Sequence, residues 1–237
     1  MKGFNRMKDE NYISRKQQFL KSFDRSIARS KRVLIDRYGN EHANSLISEF
    51  RREYEALIPQ IPFIGHRSPF LIFLLPTSRY LAIYRVLRRM GLTVEETGRI
   101  IYQMNEYELN TIPILLRRII GYLWFSPLFI RRFRKRAKES QERKYPGGYV
   151  LTFIEGDGRT FDYGFDYTEC AGCKFLNQQG APELAPFLCA VDKVAGEILG
   201  WGLTRTMTIA DGCNKCDFRY KKGDKTNINS ALFVKQK

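Results

Sequence analysis

Tyr145-Pro-Gly-Gly-Tyr-Val-Leu-Thr-Phe-Ile-Glu-Gly-Asp-Gly158 is where the chain changes character. Proline and two glycines end any helix. Tyr149 to Ile154 then reads as a strand, Gly156-Asp-Gly158 as a turn, and Arg159 to Tyr167 as the partner strand of a hairpin. Downstream come two short helical patterns, 170–179 and 183–199. Leu203 to Ala210 and Lys215 to Lys221 look like a second strand pair joined across Asp211-Gly212. The order strand, strand, helix, helix, strand, strand predicts a small, mainly antiparallel sheet with helices packed on it.

Upstream, the chain reads as helix to about Glu142. Phe19, Leu20, Phe23, Ile27 and Leu34 recur at helical spacing, as do Leu46, Ile47, Phe50, Tyr54 and Leu57 beyond a break at Tyr38-Gly-Asn40. Residues 59–69 hold three prolines and form a loop. A helix from Phe70 to Met90, kinked at Pro76, should end at Gly91. Thr93-Val-Glu-Glu96 has capping-box form, and Thr111-Ile-Pro113 and Ser126-Pro127 look like further helix starts. The expected fold is therefore α+β. A helical region, 1–144, precedes a cysteine-rich α+β region, 145–237, the two forming separate domains or one integrated domain.

The 237 residues carry a formal net charge of +15, which favours anionic partners: nucleic acid, an acidic membrane surface, or a carboxylate or phosphate substrate. The most apolar stretch, 112–130, is interrupted by Arg117 and Arg118, too costly for a membrane span. The segment 124–138 joins aromatic residues to a basic run and suits contact with a membrane surface, although such runs are commonly solvated helix faces. No nucleic-acid-binding motif stands out. The amino-terminal residues lack the apolar core of a signal peptide. Five cysteines, an odd number, all lie in the last third. An intracellular, cytoplasmic protein with reduced thiols is the expectation.

Cys170-x-x-Cys173 and Cys213-x-x-Cys216 are two CxxC pairs with Cys189 between them. Four thiolates from two such pairs would close a structural site for zinc or another divalent metal. An open centre of Cys170, Cys189 and Cys216 is the second option, with Asp192 one helical turn from Cys189. A single low-pKa thiolate acting as nucleophile is the third. Inert, buried thiols are the fourth.

The runs Gly156-Asp-Gly158, Phe165-Asp-Tyr-Thr-Glu-Cys170, Pro186-Phe-Leu-Cys189-Ala-Val-Asp192, Arg205-Thr-Met-Thr-Ile-Ala210 and Cys216-Asp-Phe-Arg219 together resemble the L-2-amino-thiazoline-4-carboxylic acid hydrolase family. The resemblance is densest over 145–222. It implies a hydrolase that opens a cyclic amidine, in the namesake case yielding S-carbamoyl-cysteine. The positions matching the family's recurring cysteines are Cys170, Cys189 and Cys216, with Asp192 beside the second; Cys173 and Cys213 look like additions. A weaker similarity, of fold more than activity, is to vinyl-reductase-like small-molecule-binding domains.

On that resemblance the expected catalytic or metal centre is Cys170, Cys189 and Cys216, with Asp192 or Glu169 as fourth ligand or general base. Arg205 would hold a substrate carboxylate, and Asp162, Asp166 and Tyr167 would line the same pocket. Plainer roles compete: Asp192 as a solvated helix residue, Glu169 as a helix-start residue favouring the dipole, Arg205 as an edge-strand charge facing water. His66, in the proline loop, would cover the site. The alternative function is a non-catalytic small-molecule- or metal-binding module in which the cysteines only hold the fold.

Overall fold

The computed structural model describes residues 11–230; the amino-terminal segment read for a signal sequence lies outside them up to residue 10. Two amphipathic helices, α1 (Lys16–Tyr38) and α2 (Asn40–Leu57), form a hairpin. Gly39 breaks them apart with φ 77°, a left-handed conformation open to glycine. Their apolar stripes meet, and Phe23 stacks on Tyr54 with ring centroids 4.9 Å apart. Helix α3 (Leu71–Arg89) is buried over most of its length. Pro76 lies inside it and has no N–H to give, so the Ile72 carbonyl loses its usual donor.

Helix α4 (Val94–Asn110) opens with the expected capping box. Thr93 Oγ1 accepts from Glu96 N at 3.1 Å and Glu96 Oε2 accepts from Thr93 N at 2.7 Å. Helix α5 (Ile114–Trp124) begins one residue after Pro113, and α6 (Pro127–Ser140) is capped by Ser126. No helix of the described residues is long and apolar enough to cross a membrane.

Five strands follow: β1 (Val150–Glu155), β2 (Tyr163–Glu169), β3 (Leu203–Arg205), β4 (Cys216–Tyr220) and β5 (Asn227–Ile228). Helices α7 (Ala171–Gln178) and α8 (Ala185–Leu199) lie between β2 and β3 in sequence. The spatial order is β1-β2-β4-β3-β5, antiparallel except for the parallel β3–β5 pair. The α+β expectation and the strand-strand-helix-helix-strand-strand order therefore hold.

Two details differ from the sequence reading. β3 stops at Arg205 instead of running to Ala210, because the Asp217 carboxylate takes the backbone N–H groups of Thr206 (2.9 Å) and Met207 (2.6 Å). Thr208 then caps a short 3-10 turn, Ile209–Asp211. The two-residue β5 carries too little pattern to be read from sequence.

Strand register decides which residues can meet. Tyr163 pairs with Tyr220, Phe165 with Phe218, Tyr167 with Cys216, and Leu203 with Tyr220. These residues share one face with Arg205, two residues beyond Leu203. That face is buried in a core continuous with the helical half, running from Tyr12 to Ile228. The chain's two tryptophans join the halves: Trp124 at the end of α5 stacks on Trp201 after α8, with centroids 4.2 Å apart and planes 12° from parallel.

Candidate active site

Cys170 sits where β2 gives way to α7. Its extended backbone (φ −113°, ψ 115°) makes it the N-cap, and its Sγ accepts the Cys173 N–H at 3.5 Å. Hydrogen bonding from the Cys173 thiol is the largest influence on Cys170 and lowers its pKa; burial opposes this, and the Cys173 and Gly172 N–H groups assist. The same contact pushes the Cys173 thiol far up, so Cys170 is the acceptor of the pair and Cys173 the donor. Cys173, read from sequence as an addition, is thus in direct contact with Cys170. The CxxC spacing was the signal for this contact, since a helix N-terminus turns its first and fourth residues toward each other.

Burial pushes the Cys189 thiol well up and the Cys216 thiol up to about 12. Cys216 Sγ accepts the Ile209 N–H at 3.2 Å. Both feel the charges of Cys170, Asp192 and Arg205, so these five side chains share one electrostatic neighbourhood. Tyr167 and Tyr149 complete it. Burial raises both phenols most, and the charge on Cys170 adds to each. Their rings meet edge-on at 6.1 Å.

Arg205 is 1% exposed and already committed. It pairs with the Asp192 carboxylate, donates to the Cys189 carbonyl at 3.1 Å, and lies over the Phe218 ring at 5.3 Å. Only its Nε lacks a partner. It therefore holds Asp192 in place and is not free to grip a substrate carboxylate. Burial raises the Asp192 pKa, and Arg205 partly offsets this. About a third of the Asp192 side chain remains exposed, enough for a proton to enter or leave.

The other anticipated residues lie elsewhere. Glu169 is occupied by Arg143 and Lys174. Asp166 points to the opposite side of the sheet from Tyr167, as strand alternation requires, and is held by Lys215 (2.6 Å) and Arg219 (2.8 Å). Asp162 accepts from Lys221 Nζ at 3.2 Å and Lys222 N at 2.7 Å at the far end of β2. Among the described residues, no three His, Cys, Asp or Glu side chains are arranged to hold a metal ion.

A cleft of about 470 Å³ opens beside this cluster. Its walls are the loop Ile64–Phe70, the end of α6 and the segment before β1, and include Arg67, Arg143, Lys144, His66 and Tyr149. None of the cysteines lines it; Tyr149 is the side chain shared by cleft and thiol cluster. A larger groove of about 810 Å³ between α1 and α4 holds none of these residues.

The comparisons with known proteins bear on this cluster. Residues 125–220 match the L-2-amino-thiazoline-4-carboxylic acid hydrolase family model. The matched segment of this hydrolase family contains every cysteine, Asp192, Arg205 and both Tyr149 and Tyr167, and leaves out α1 to α4. The motif resemblance and the family match therefore fall on the same region. No curated protein and no solved structure matches the chain.

Proposed function

We propose that the protein is a hydrolase that opens a small cyclic amidine carrying a carboxylate, with the Cys170 thiolate as nucleophile. The observation that carries this is the Cys170–Cys173 pair: a sulfur at a helix N-terminus that accepts the Cys173 N–H and whose pKa is lowered by the Cys173 thiol and backbone N–H groups, inside the matched hydrolase-family segment. In the reaction, Cys170 Sγ bonds to the amidine carbon. The ring C–N bond then breaks and the departing nitrogen takes a proton. Water adds to the same carbon, the C–Sγ bond breaks, and the thiolate returns, with one water consumed per turnover.

Asp192 suits the proton transfers. Its raised pKa brings it nearer to neutrality, where general acid–base groups work best and contribute about 10²–10⁴-fold. Arg205 positions it. The cationic cleft beside Tyr149 suits the substrate's carboxylate, a role that Arg67 and Lys144 can fill where Arg205 cannot. No step of this reading is routed through a metal.

The test is turnover of L-2-amino-thiazoline-4-carboxylate, followed by appearance of the S-carbamoyl product. Wild-type protein should form it, and Cys170→Ala should lower turnover by at least about a thousandfold with folding intact. Full activity in Cys170→Ala would remove the thiolate from the mechanism. Absence of turnover, with intact binding of the compound, would favour the non-catalytic module.

A further inference from the structure

Eleven large apolar side chains stand strongly exposed on the described surface, and seven of them fall within fifteen residues: Ile114, Leu115, Leu116, Ile119, Tyr122 and Leu123 of α5, with Leu128 of α6. Leu115 is 71% exposed and Ile114 67%. The arrangement has a clear cause. A Cβ on Gly121 would come within 2.3 Å of the Leu199 carbonyl, so α5 lies tight against the end of α8 along its Gly121 side. Trp124, one turn on, is the residue of α5 that is buried. The opposite side of the helix is left facing out with almost nothing but leucine, isoleucine and tyrosine on it. Contiguous apolar patches of this kind mark a surface that something else covers.

Charge identifies what covers it. From 111 to 138 the chain has eight lysines and arginines and no aspartate or glutamate. Arg118, Arg131, Arg132 and Lys138 make no ion pair among the described residues. On α6, Leu128, Arg131, Arg132 and Lys135 follow at helical spacing and are all exposed, so apolar and cationic surface share one side. Lys222 adds a further cation over the Tyr122 ring, at 4.9 Å. A second copy of this chain would bring like charges together, as would any basic partner.

We propose that α5 and the exposed side of α6 form a membrane-docking surface that lies in the interface of an anionic lipid bilayer. The α5 leucines and isoleucines enter the acyl boundary, Tyr122 sits at headgroup depth, and the arginines bind lipid phosphates. The helix lies on the bilayer and does not span it, since its eleven residues are too few to cross.

Flotation of the full-length protein with vesicles tests this, using phosphatidylcholine alone or phosphatidylcholine mixed with phosphatidylglycerol. The expected result is binding to the anionic vesicles, weakened by high salt, and little binding to the neutral ones. Leu115→Glu with Ile119→Glu should cut the bound fraction at least about tenfold, and Arg131→Glu with Arg132→Glu should cut it while leaving thermal unfolding unchanged. Both pairs are exposed; Leu115→Gln with Ile119→Gln serves if the charged version misfolds. The proposal is overturned if wild-type protein stays unbound to anionic vesicles, or if binding survives the α5 substitutions. Failure to bind vesicles together with a dimer in solution that the α5 substitutions dissociate would assign the face to a second copy instead.

Discussion

The two CxxC pairs have the same spacing and opposite fates. Cys170-x-x-Cys173 winds into the first turn of α7, so its sulfurs meet and one becomes the acceptor for the other's thiol and for backbone N–H. Cys213-x-x-Cys216 runs from a left-handed Gly212 into β4. Cys216 is buried against Tyr167 with its sulfur on the Ile209 N–H, while Cys213 is left half-exposed outside the cluster. A helix start converges residues three apart, and a turn entering a strand directs them apart. The backbone that follows the motif, more than the motif, decides whether two thiols act together.

That contrast can be broken at several points. The largest effect is expected at Arg205, which ties the strand before the second pair to the carboxylate beside the first. Arg205→Leu would leave the largely buried Asp192 unpaired and cost about 3 kcal/mol, read from urea unfolding. A loss below about 1 kcal/mol would mean that the Arg205–Asp192 pair does not hold the site together.

Next in size is Cys173→Ala. Cys170 loses the donor that most lowers its pKa, so its pKa should climb toward the ordinary thiol value of about 8.5. The sign follows directly: less thiolate at neutral pH, slower alkylation of Cys170 by iodoacetamide, and a rate-against-pH midpoint shifted upward. An unmoved midpoint would show that the helix N-terminus alone sets Cys170. The smallest effect belongs to Cys213→Ser. It should change stability by less than about 0.5 kcal/mol and leave Cys170 labelling unaltered, and a larger effect would restore the second pair to the site.

Much of the architecture was legible because it rests on local chemistry. The Thr93–Glu96 box, the Ser126 cap and the breaks at Gly39 and Gly91 each name a helix end without reference to the rest of the chain. The hairpin β1–β2 was legible for the same reason. The extent of β3 was not, because the Asp217 carboxylate that ends it comes from a different strand. In the site, Cys170, Cys189, Asp192 and Cys216 could be gathered by motif. What each does could not, since the partners that define them are non-local: Arg205 was read as free and is buried under Asp192, and Asp166 was grouped with Tyr167 although adjacent strand residues face opposite ways. The exposed side of α5 was read from sequence as an apolar segment too charged to span a bilayer. Only the close approach of Gly121 to Leu199 shows which side turns outward.

The stacked pair of Trp124 and Trp201 has an optical consequence. Both of the chain's indoles report from one spot, where the end of the exposed helix α5 meets the turn after α8. Rings this close and nearly parallel couple their electronic transitions, so tryptophan fluorescence and the indole bands of the near-ultraviolet circular dichroism report on a single junction. That junction joins the family-matched region to α5, which lies outside it. Any ligand or surface that shifts α5 against α8 carries its own built-in signal, without a label.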